Sequence, residues 1–298
     1  MLANFEALKK KAIGKGTMTI AVAAAEDDHT LEALKELGEH LSVNCFLVGD
    51  RAKITQLCEK VGLQADPANI IDAQGEEDCA AKAVALCAAG TASILMKGKL
   101  LTPTLLKAVL NKETGIRQGG LMSHMAVLEC PGYHKLMFIT DGGINPAPDS
   151  SQKKAILENS VAFLHRLGYA NPNAAALTAV ETVSDKMPET TDAAELAKLN
   201  REGQISGCLV EGPLSFDLAI SQESARIKGV DVQMSGEVDI FLMPNIASGN
   251  IMTKALIYLN NAKMAGCVLG AKVPIVLTSR GATAEEKLLS FLLCLAAA

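Results

Sequence analysis

Short apolar runs alternate with amphipathic stretches along almost the whole chain. Runs at 18–25, 43–48, 70–72, 92–96, 135–140, 174–180, 207–210, 238–243 and 273–278 have the length and content of buried strands. Between them, helical spacing of apolar positions predicts helices over 30–40, 53–61, 79–89, 103–110, 152–167, 193–201, 216–227, 251–260 and 284–295. Thr102 stands as an N-cap with Pro103 at the first helical position, and Thr283-x-x-Glu286 has the form of a capping box. Regular strand–helix alternation predicts an α/β protein with largely parallel sheets. The loop 140–151 concentrates Gly, Pro, Asp and Ser between a strand and a helix, which places a domain boundary near Ile144.

Composition then narrows the function classes. The chain has 298 residues, 49% hydrophobic and 20% charged, enough for two domains with substantial cores. Its formal charge of -5 supplies no basic field for nucleic acid or anionic lipid, so an anionic ligand has to be held by local groups. With aromatic residues at 3% and no Trp, stacking platforms for sugars or bases are not expected. Eight cysteines at irregular spacing, without a C-x-x-C pair, read as reduced and largely buried thiols. No run reaches the length of a membrane span, and a soluble cytoplasmic protein is expected.

The candidate chemistry lies in loops after the strands, where α/β folds bind their ligands. Thr278, Ser279, Arg280 and Gly281 end the last apolar run immediately before a helix. A helix N-terminus offers free N–H groups and the positive end of a dipole, and a guanidinium suits bidentate phosphate contact. Glu286 follows one turn into that helix, where it reads either as a proton acceptor or simply as a cap. Lys97-Gly98-Lys99 brackets a glycine that permits close backbone approach, or is a solvated lysine pair. Glu211-Gly-Pro-Leu-Ser-Phe-Asp217 follows a strand, and Asp217 there reads as a cap for the next helix. Asn245, Ser248, Gly249 and Asn250, with Lys254 beyond them, are ligand contacts or caps. Thr114-Gly-Ile-Arg117 precedes Ser123-His124 and the strand leading to Asp141, and a lone His124 reads as a surface group. No H-E-x-x-H or clustered Cys/His pattern predicts a metal.

One at a time these signals are weak; their order is specific. Lys97-Gly-Lys, Thr140-Asp-Gly-Gly-Ile-Asn-Pro-x-Pro-Asp149, Glu211-Gly-Pro-Leu-Ser-Phe-Asp, Pro244-Asn-x-x-x-Gly-Asn-x-x-x-Lys254 and Thr278-Ser-Arg-Gly together resemble the phosphate acetyltransferase and phosphate butyryltransferase family. The resemblance is strongest from about Ala92 onward. Its Thr114-Gly-Ile-Arg and Asp141-Gly-Gly-Ile-Asn-Pro blocks look more like the butyryl branch. It implies a fold of the isocitrate and isopropylmalate dehydrogenase type: two α/β/α domains around a cleft, here 1–144 plus 268–298 and 145–267. A homodimer built on the second domain is implied as well.

The same resemblance implies exchange of a short acyl group between coenzyme A and inorganic phosphate, in a ternary complex and without an acyl-enzyme. Arg280 would bind the phosphoryl group and Ser279 would hydrogen-bond the reacting centre, with Thr278 and Gly281 shaping the loop. Glu286 stands where the family places an aspartate as the base. Lys97, Lys99, Arg117, Asn245, Ser248, Gly249, Asn250, Lys254 and Asp141 are the further candidate contacts for phosphate or coenzyme A. Coenzyme A would be a substrate, with no permanently bound cofactor. Phosphate acetyltransferase is the alternative within the class, and a non-catalytic acyl phosphate or coenzyme A sensor the alternative outside it. Oxidative decarboxylation is disfavoured, because Asp217, Asp231 and Asp239 do not form the paired cluster that chemistry needs.

Overall fold

The structure is a computed structural model and describes residues 1–14, 17–279 and 281–298. Among the described residues the strands are β1 (Met18–Ala23), β2 (Val43–Gly49), β3 (Ile70–Asp72), β4 (Ile94–Lys97), β5 (Ser123–Glu129), β6 (Met137–Thr140), β7 (Asn173–Leu177), β8 (Leu209–Leu214), β9 (Ile240–Leu242), β10 (Lys263–Leu269) and β11 (Ile275–Val276). The chain forms two compact units. A central unit comprises Met1–Phe5 and Leu121–Met264, and a discontinuous unit comprises Glu6–Gly120 and Ala265–Ala298.

In the discontinuous unit the strand order is β3-β2-β1-β4-β11-β10. All neighbours run parallel except β10 and β11. Such parallel strands are covered on both faces and therefore read as unbroken apolar runs; every residue from Ile20 to Ala25 is buried. The helix Ala284–Ala297 is buried at every position from Lys287 to Ala297. Its one buried cation, Lys287, meets Asp27 and donates to Thr30 Oγ1 at 2.9 Å. Burial works against the Asp27 charge, yet the Lys287 and Thr30 contacts outweigh it and hold the pKa below the usual carboxylate value.

The central unit has the order β5-β6-β9-β7-β8, with β5 antiparallel to β6 and the remaining pairs parallel. Leu128, Met137, Ile139, Leu218, Val238 and Phe241 anchor its core. Lys135, 1% exposed, is neutralised by Asp239 at 2.8 Å and also donates to the Glu237 carbonyl. Such a pair persists in a core because both charges keep hydrogen-bond partners.

Several expectations need correction. The units divide at Gly120/Leu121 and Met264/Ala265, rather than at 144/145 and 267/268. A cut after Ile144 would separate β5 and β6 from β9, although β6 and β9 are hydrogen-bonded neighbours. The helix 102–109 begins at Thr102 with Leu101 in the cap position, so Thr102 is not the N-cap. The helix expected over 216–227 is two, Phe216–Ile220 and Gln222–Lys228, and Ser221 caps the second. Ser215 holds the cap position of the first, leaving Asp217 to pair with Lys228. Strands β5 and β10 and the helix Phe5–Ile13 have no counterpart in the sequence-based reading. Among the described residues no helix is long and apolar enough to cross a membrane.

Candidate active site

In the discontinuous unit, β11 leads into the turn that carries the strongest sequence signal. Thr278 is buried, while Ser279 and Gly281 are exposed. The Ser279 carbonyl accepts the Ala282 N–H at 3.2 Å, and Ser279 Oγ accepts the Gly281 N–H at 3.4 Å. The serine hydroxyl is thus an acceptor towards its own turn, and its proton is left to donate elsewhere. Arg280 lies outside the described residues. Directly after the turn, Thr283 and Glu286 form the expected capping box at the start of helix Ala284–Ala297. Glu286 Oε2 accepts the Thr283 N–H at 2.9 Å. The other carboxylate oxygen accepts no hydrogen bond from a described residue, so capping occupies only one of the two.

The lysine pair is not uniformly solvated, because Lys97 and Lys99 differ. Lys97 closes β4, is 2% exposed, and donates to the carbonyls of Gly98 and Leu100. Lys99 is exposed. Between them Gly98 lies against Ala24: a Cβ there would fall 2.1 Å from the Ala24 carbonyl oxygen, so no other residue fits. Arg117 is exposed and its guanidinium donates to the Gly119 carbonyl at 3.1 Å.

In the central unit the loop after β6 is organised by Asp141. One carboxylate oxygen accepts from the N–H groups of Gly143 (2.7 Å) and Ile144 (2.9 Å). The second accepts from the N–H groups of His124 and Asn145 and from Asn145 Nδ2. Five donors converge on this buried carboxylate and hold the loop in shape. The loop packs backbone to backbone on the helix Ile246–Asn260. A Cβ on Gly249 would sit 2.9 Å from Gly142 Cα and 3.0 Å from the Asp141 carbonyl oxygen.

Asn245 caps that helix through the Ser248 N–H, and Ser248 Oγ turns back onto Asn245. Both side chains are therefore engaged in the cap. Asn250 donates to the Gly142 carbonyl at 3.3 Å, and Lys254 is exposed on the same helix. Glu211, which the sequence leaves without a role, receives the N–H groups of Gln233 and Met234.

His124 departs from its sequence reading. It is no surface group: it is the second residue of β5, is 8% exposed, and packs beneath Gly143, where a Cβ would lie 2.7 Å from its Cγ. The apolar Met125–Leu128 segment that follows was the available signal, since it marks a buried strand directly after the histidine.

Residues 76–295 match the family described as phosphate acetyl/butaryl transferase. The chain belongs to this family. It is 41% identical to the phosphate butyryltransferase of Clostridium acetobutylicum over 98% of its own length and 97% of the relative's. It is 44% identical to the probable phosphate butyryltransferase of Bacillus subtilis, with 97% of each chain covered. The crystal structure of a branched-chain phosphotransacylase from Enterococcus faecalis V583 superposes with a TM-score of 0.81 at 31% identity, covering 94% of this chain and 98% of that one. A putative 4-hydroxythreonine-4-phosphate dehydrogenase from Salmonella typhimurium has a TM-score of 0.59 at 14% identity, over 95% and 99%. That likeness is one of fold, and it agrees with the dehydrogenase-like α/β class expected from the sequence.

Proposed function

We infer that the protein is a phosphate acyltransferase that moves a short acyl group, butyryl or branched-chain, between coenzyme A and inorganic phosphate. The observation that carries this reading is the turn Ser279–Ala282, which delivers an exposed serine hydroxyl to the capped N-terminus of helix Ala284–Ala297. A thiol with a pKa near ~8.5 is mostly protonated at neutral pH, so the reaction requires a proton acceptor, a cation for the phosphate and donors for the developing oxyanion.

In the acyl phosphate direction the thiol proton passes to the open oxygen of Glu286. The sulfur attacks the carbonyl carbon and the carbonyl π electrons move to oxygen. Collapse of that intermediate forms the thioester and expels phosphate with the electrons of the C–O bond. Arg280 carries the charge opposite the phosphoryl group, and Ser279 donates its hydroxyl proton to the reacting centre. Thr278 and Gly281 shape the turn, while Lys97, Lys99, Arg117, Asn250 and Lys254 serve the phosphates of the substrates. Asn245, Ser248 and Gly249 contribute by fixing the helix start, and Asp141 by shaping its loop. The reaction needs no permanently bound cofactor, and eight free cysteines suit a reducing cytoplasm.

A second copy of the chain packs, in this reading, on the central unit's helix Ile246–Asn260. Ile251, Tyr258 and Leu259 share one helical face and are 69%, 79% and 85% exposed. Light scattering on the wild type and on Tyr258→Asp reads that assembly directly.

The decisive assay incubates the protein with acetyl- to valeryl-CoA and phosphate and follows thiol release. Turnover is expected to peak at butyryl or branched chains; a peak at acetyl moves the assignment to phosphate acetyltransferase. Absence of release with every chain would leave a binding protein. Arg280→Ala is expected to lower the rate by orders of magnitude, because it removes a charge-assisted contact.

A further inference from the structure

Within the discontinuous unit, strands β1, β4 and β11 are neighbours and run parallel, with Ala23 opposite Lys97 and Met96 opposite Val276. The segments that follow them, beginning at Ala24, Gly98 and Leu277, therefore leave the sheet at one edge. The first two are joined through their backbones. The Gly98 N–H donates to the Ala23 carbonyl at 2.9 Å, and the Lys99 N–H to the Ala24 carbonyl at 2.8 Å. The third is joined to the first by side chains, and one residue of that joint follows Glu286 directly.

Asp27 caps the helix Asp28–His40, its carboxylate accepting the Thr30 N–H at 3.1 Å and the Thr30 hydroxyl. Its own N–H donates to the Ala25 carbonyl at 2.8 Å, which ties the cap to the end of β1. Lys287 is 3% exposed and donates to the same carboxylate and to Thr30 Oγ1. Three residues further on, Ser290 Oγ donates to the Glu286 carbonyl at 2.7 Å and accepts the Gly266 N–H of β10 at 2.9 Å. Glu286 is thus fastened through its carbonyl to β10, through its neighbour to the start of helix Asp28–His40, and through Thr283 to its own turn. Helix ends fray unless held, and Lys287 stands where the fully buried part of this helix meets its half-exposed first turn.

A buried ion pair is a costly way to gain stability, since apolar side chains of similar volume fill the same space without desolvating two charges. What the pair adds to packing is direction. An apolar contact lets a helix slide, whereas an ammonium bonded to both a cap carboxylate and a threonine hydroxyl admits one placement. We propose that Lys287 and Asp27 are positioning residues: they hold the first turn of helix Ala284–Ala297 so that the Glu286 oxygen not used in capping keeps a fixed place relative to Ser279. The same tether sets that turn against the segment carrying Lys99. This rests on the acyl-transfer reading above, with Glu286 as its proton acceptor. Lys287 acts through Glu286 and not on the substrate. A displacement of about 1 Å at a reacting group can cost on the order of 10² in rate, so the contribution falls on kcat rather than on binding.

The test measures kcat, KM and the unfolding midpoint of wild type and four variants in the thiol-release assay. Lys287→Met is expected to lower kcat by about 10- to 10²-fold, with KM for both substrates close to wild type. Combining Asp27→Asn with Lys287→Met leaves neither charge of the pair, and asparagine still caps the helix. Stability should then return towards wild type while kcat stays low, whereas a purely structural pair would recover both together. The third and fourth variants are Glu286→Gln alone and Glu286→Gln with Lys287→Met. In that background Lys287→Met should change kcat by less than about threefold, because the group it positions is already lost. An active wild type whose charge-free double variant keeps more than about a third of kcat overturns the proposal, and this holds even if Lys287→Met alone fails to fold. So does an equal loss from Lys287→Met with and without Glu286. A wild type inactive on every acyl chain fails the acyl-transfer reading itself, whatever the variants do.

Discussion

Thr283 and Glu286 cap each other: the Thr283 N–H donates to Glu286 Oε2 at 2.9 Å, and the Glu286 N–H donates to Thr283 Oγ1 at 3.2 Å. One oxygen of the carboxylate is therefore structural, and the other accepts no hydrogen bond from a described residue. Glu286→Gln keeps the reciprocal cap, since glutamine also presents an acceptor. Its unfolding midpoint should stay at the wild-type value while kcat falls by about 10²–10⁴, the range of a lost general base. Thr283→Ala is the complementary case, expected to cost about 1 kcal/mol of stability with turnover largely retained. Equal turnover for wild type and Glu286→Gln would assign the thiol proton to another acceptor.

Asp141 should prove a structural residue rather than a substrate contact. Asp141→Asn substitutes one oxygen acceptor and an NH₂ donor for a carboxylate that serves five donors. At least one of the N–H groups then faces another donor. A loss of about 2–4 kcal/mol in urea unfolding is expected, on the scale of charged hydrogen bonds. A variant with unaltered stability and a raised KM would restore the substrate role.

Two glycines in helices should respond with opposite signs. Gly38, in helix Asp28–His40, has open space around it, and Gly38→Ala is expected to stabilise by up to about 1 kcal/mol through helix propensity. Gly249→Ala gains the same propensity but drives a methyl group against Gly142 Cα and the Asp141 carbonyl, neither of which is a flexible side-chain end. Overpacking of this kind costs roughly 1–3 kcal/mol, so the net effect should be a loss together with reduced turnover. Thermal unfolding of both variants provides the comparison.

Acid should weaken the Asp27–Lys287 pair in a defined direction. The folded Asp27 pKa lies below its unfolded value of about 3.9, so the stabilisation is fully present above that pH. It is lost as pH falls through the folded value. Lys287→Met removes the partner of a partly exposed carboxylate and should cost towards the lower end of the roughly 3–5 kcal/mol seen for broken buried pairs. The difference between wild type and variant should be constant from pH 7 to pH 5 and shrink below pH 4. A difference independent of pH down to 2 would mean that packing of the lysine stem, not its charge, is what the substitution removes.

Much of this architecture was legible because parallel strands covered on both faces write themselves as apolar runs, as at Ile20–Ala25, and because capping boxes have fixed spacing, as at Thr283 and Glu286. Strand β5 escaped because Ser123 and His124 look like loop residues; only the ladder to β6 and the Asp141 carboxylate make them the start of a strand. Lys97 illustrates the same limit. Its burial depends on carbonyls that fold back over its ammonium, which local polarity does not disclose. The position of a domain boundary was obscured likewise, since a Gly- and Pro-rich loop marks a turn regardless of which strands flank it. The candidate residues of the last turn were readable in order but not in role, because one carboxylate can cap a helix and accept a proton with different oxygens.

The arrangement of the discontinuous unit has a consequence for how the chain is made. Strand β11 sits between β4 and β10, yet it comes last in the sequence, after the entire central unit. During vectorial synthesis β4 therefore emerges with one apolar edge unpaired and keeps it unpaired while residues 121–264 are added. An exposed strand edge of this kind invites pairing with other chains. The nascent protein is thus most vulnerable to aggregation in the interval before Ile275 and Val276 leave the ribosome, and chaperone capture of ribosome-bound intermediates should be greatest there.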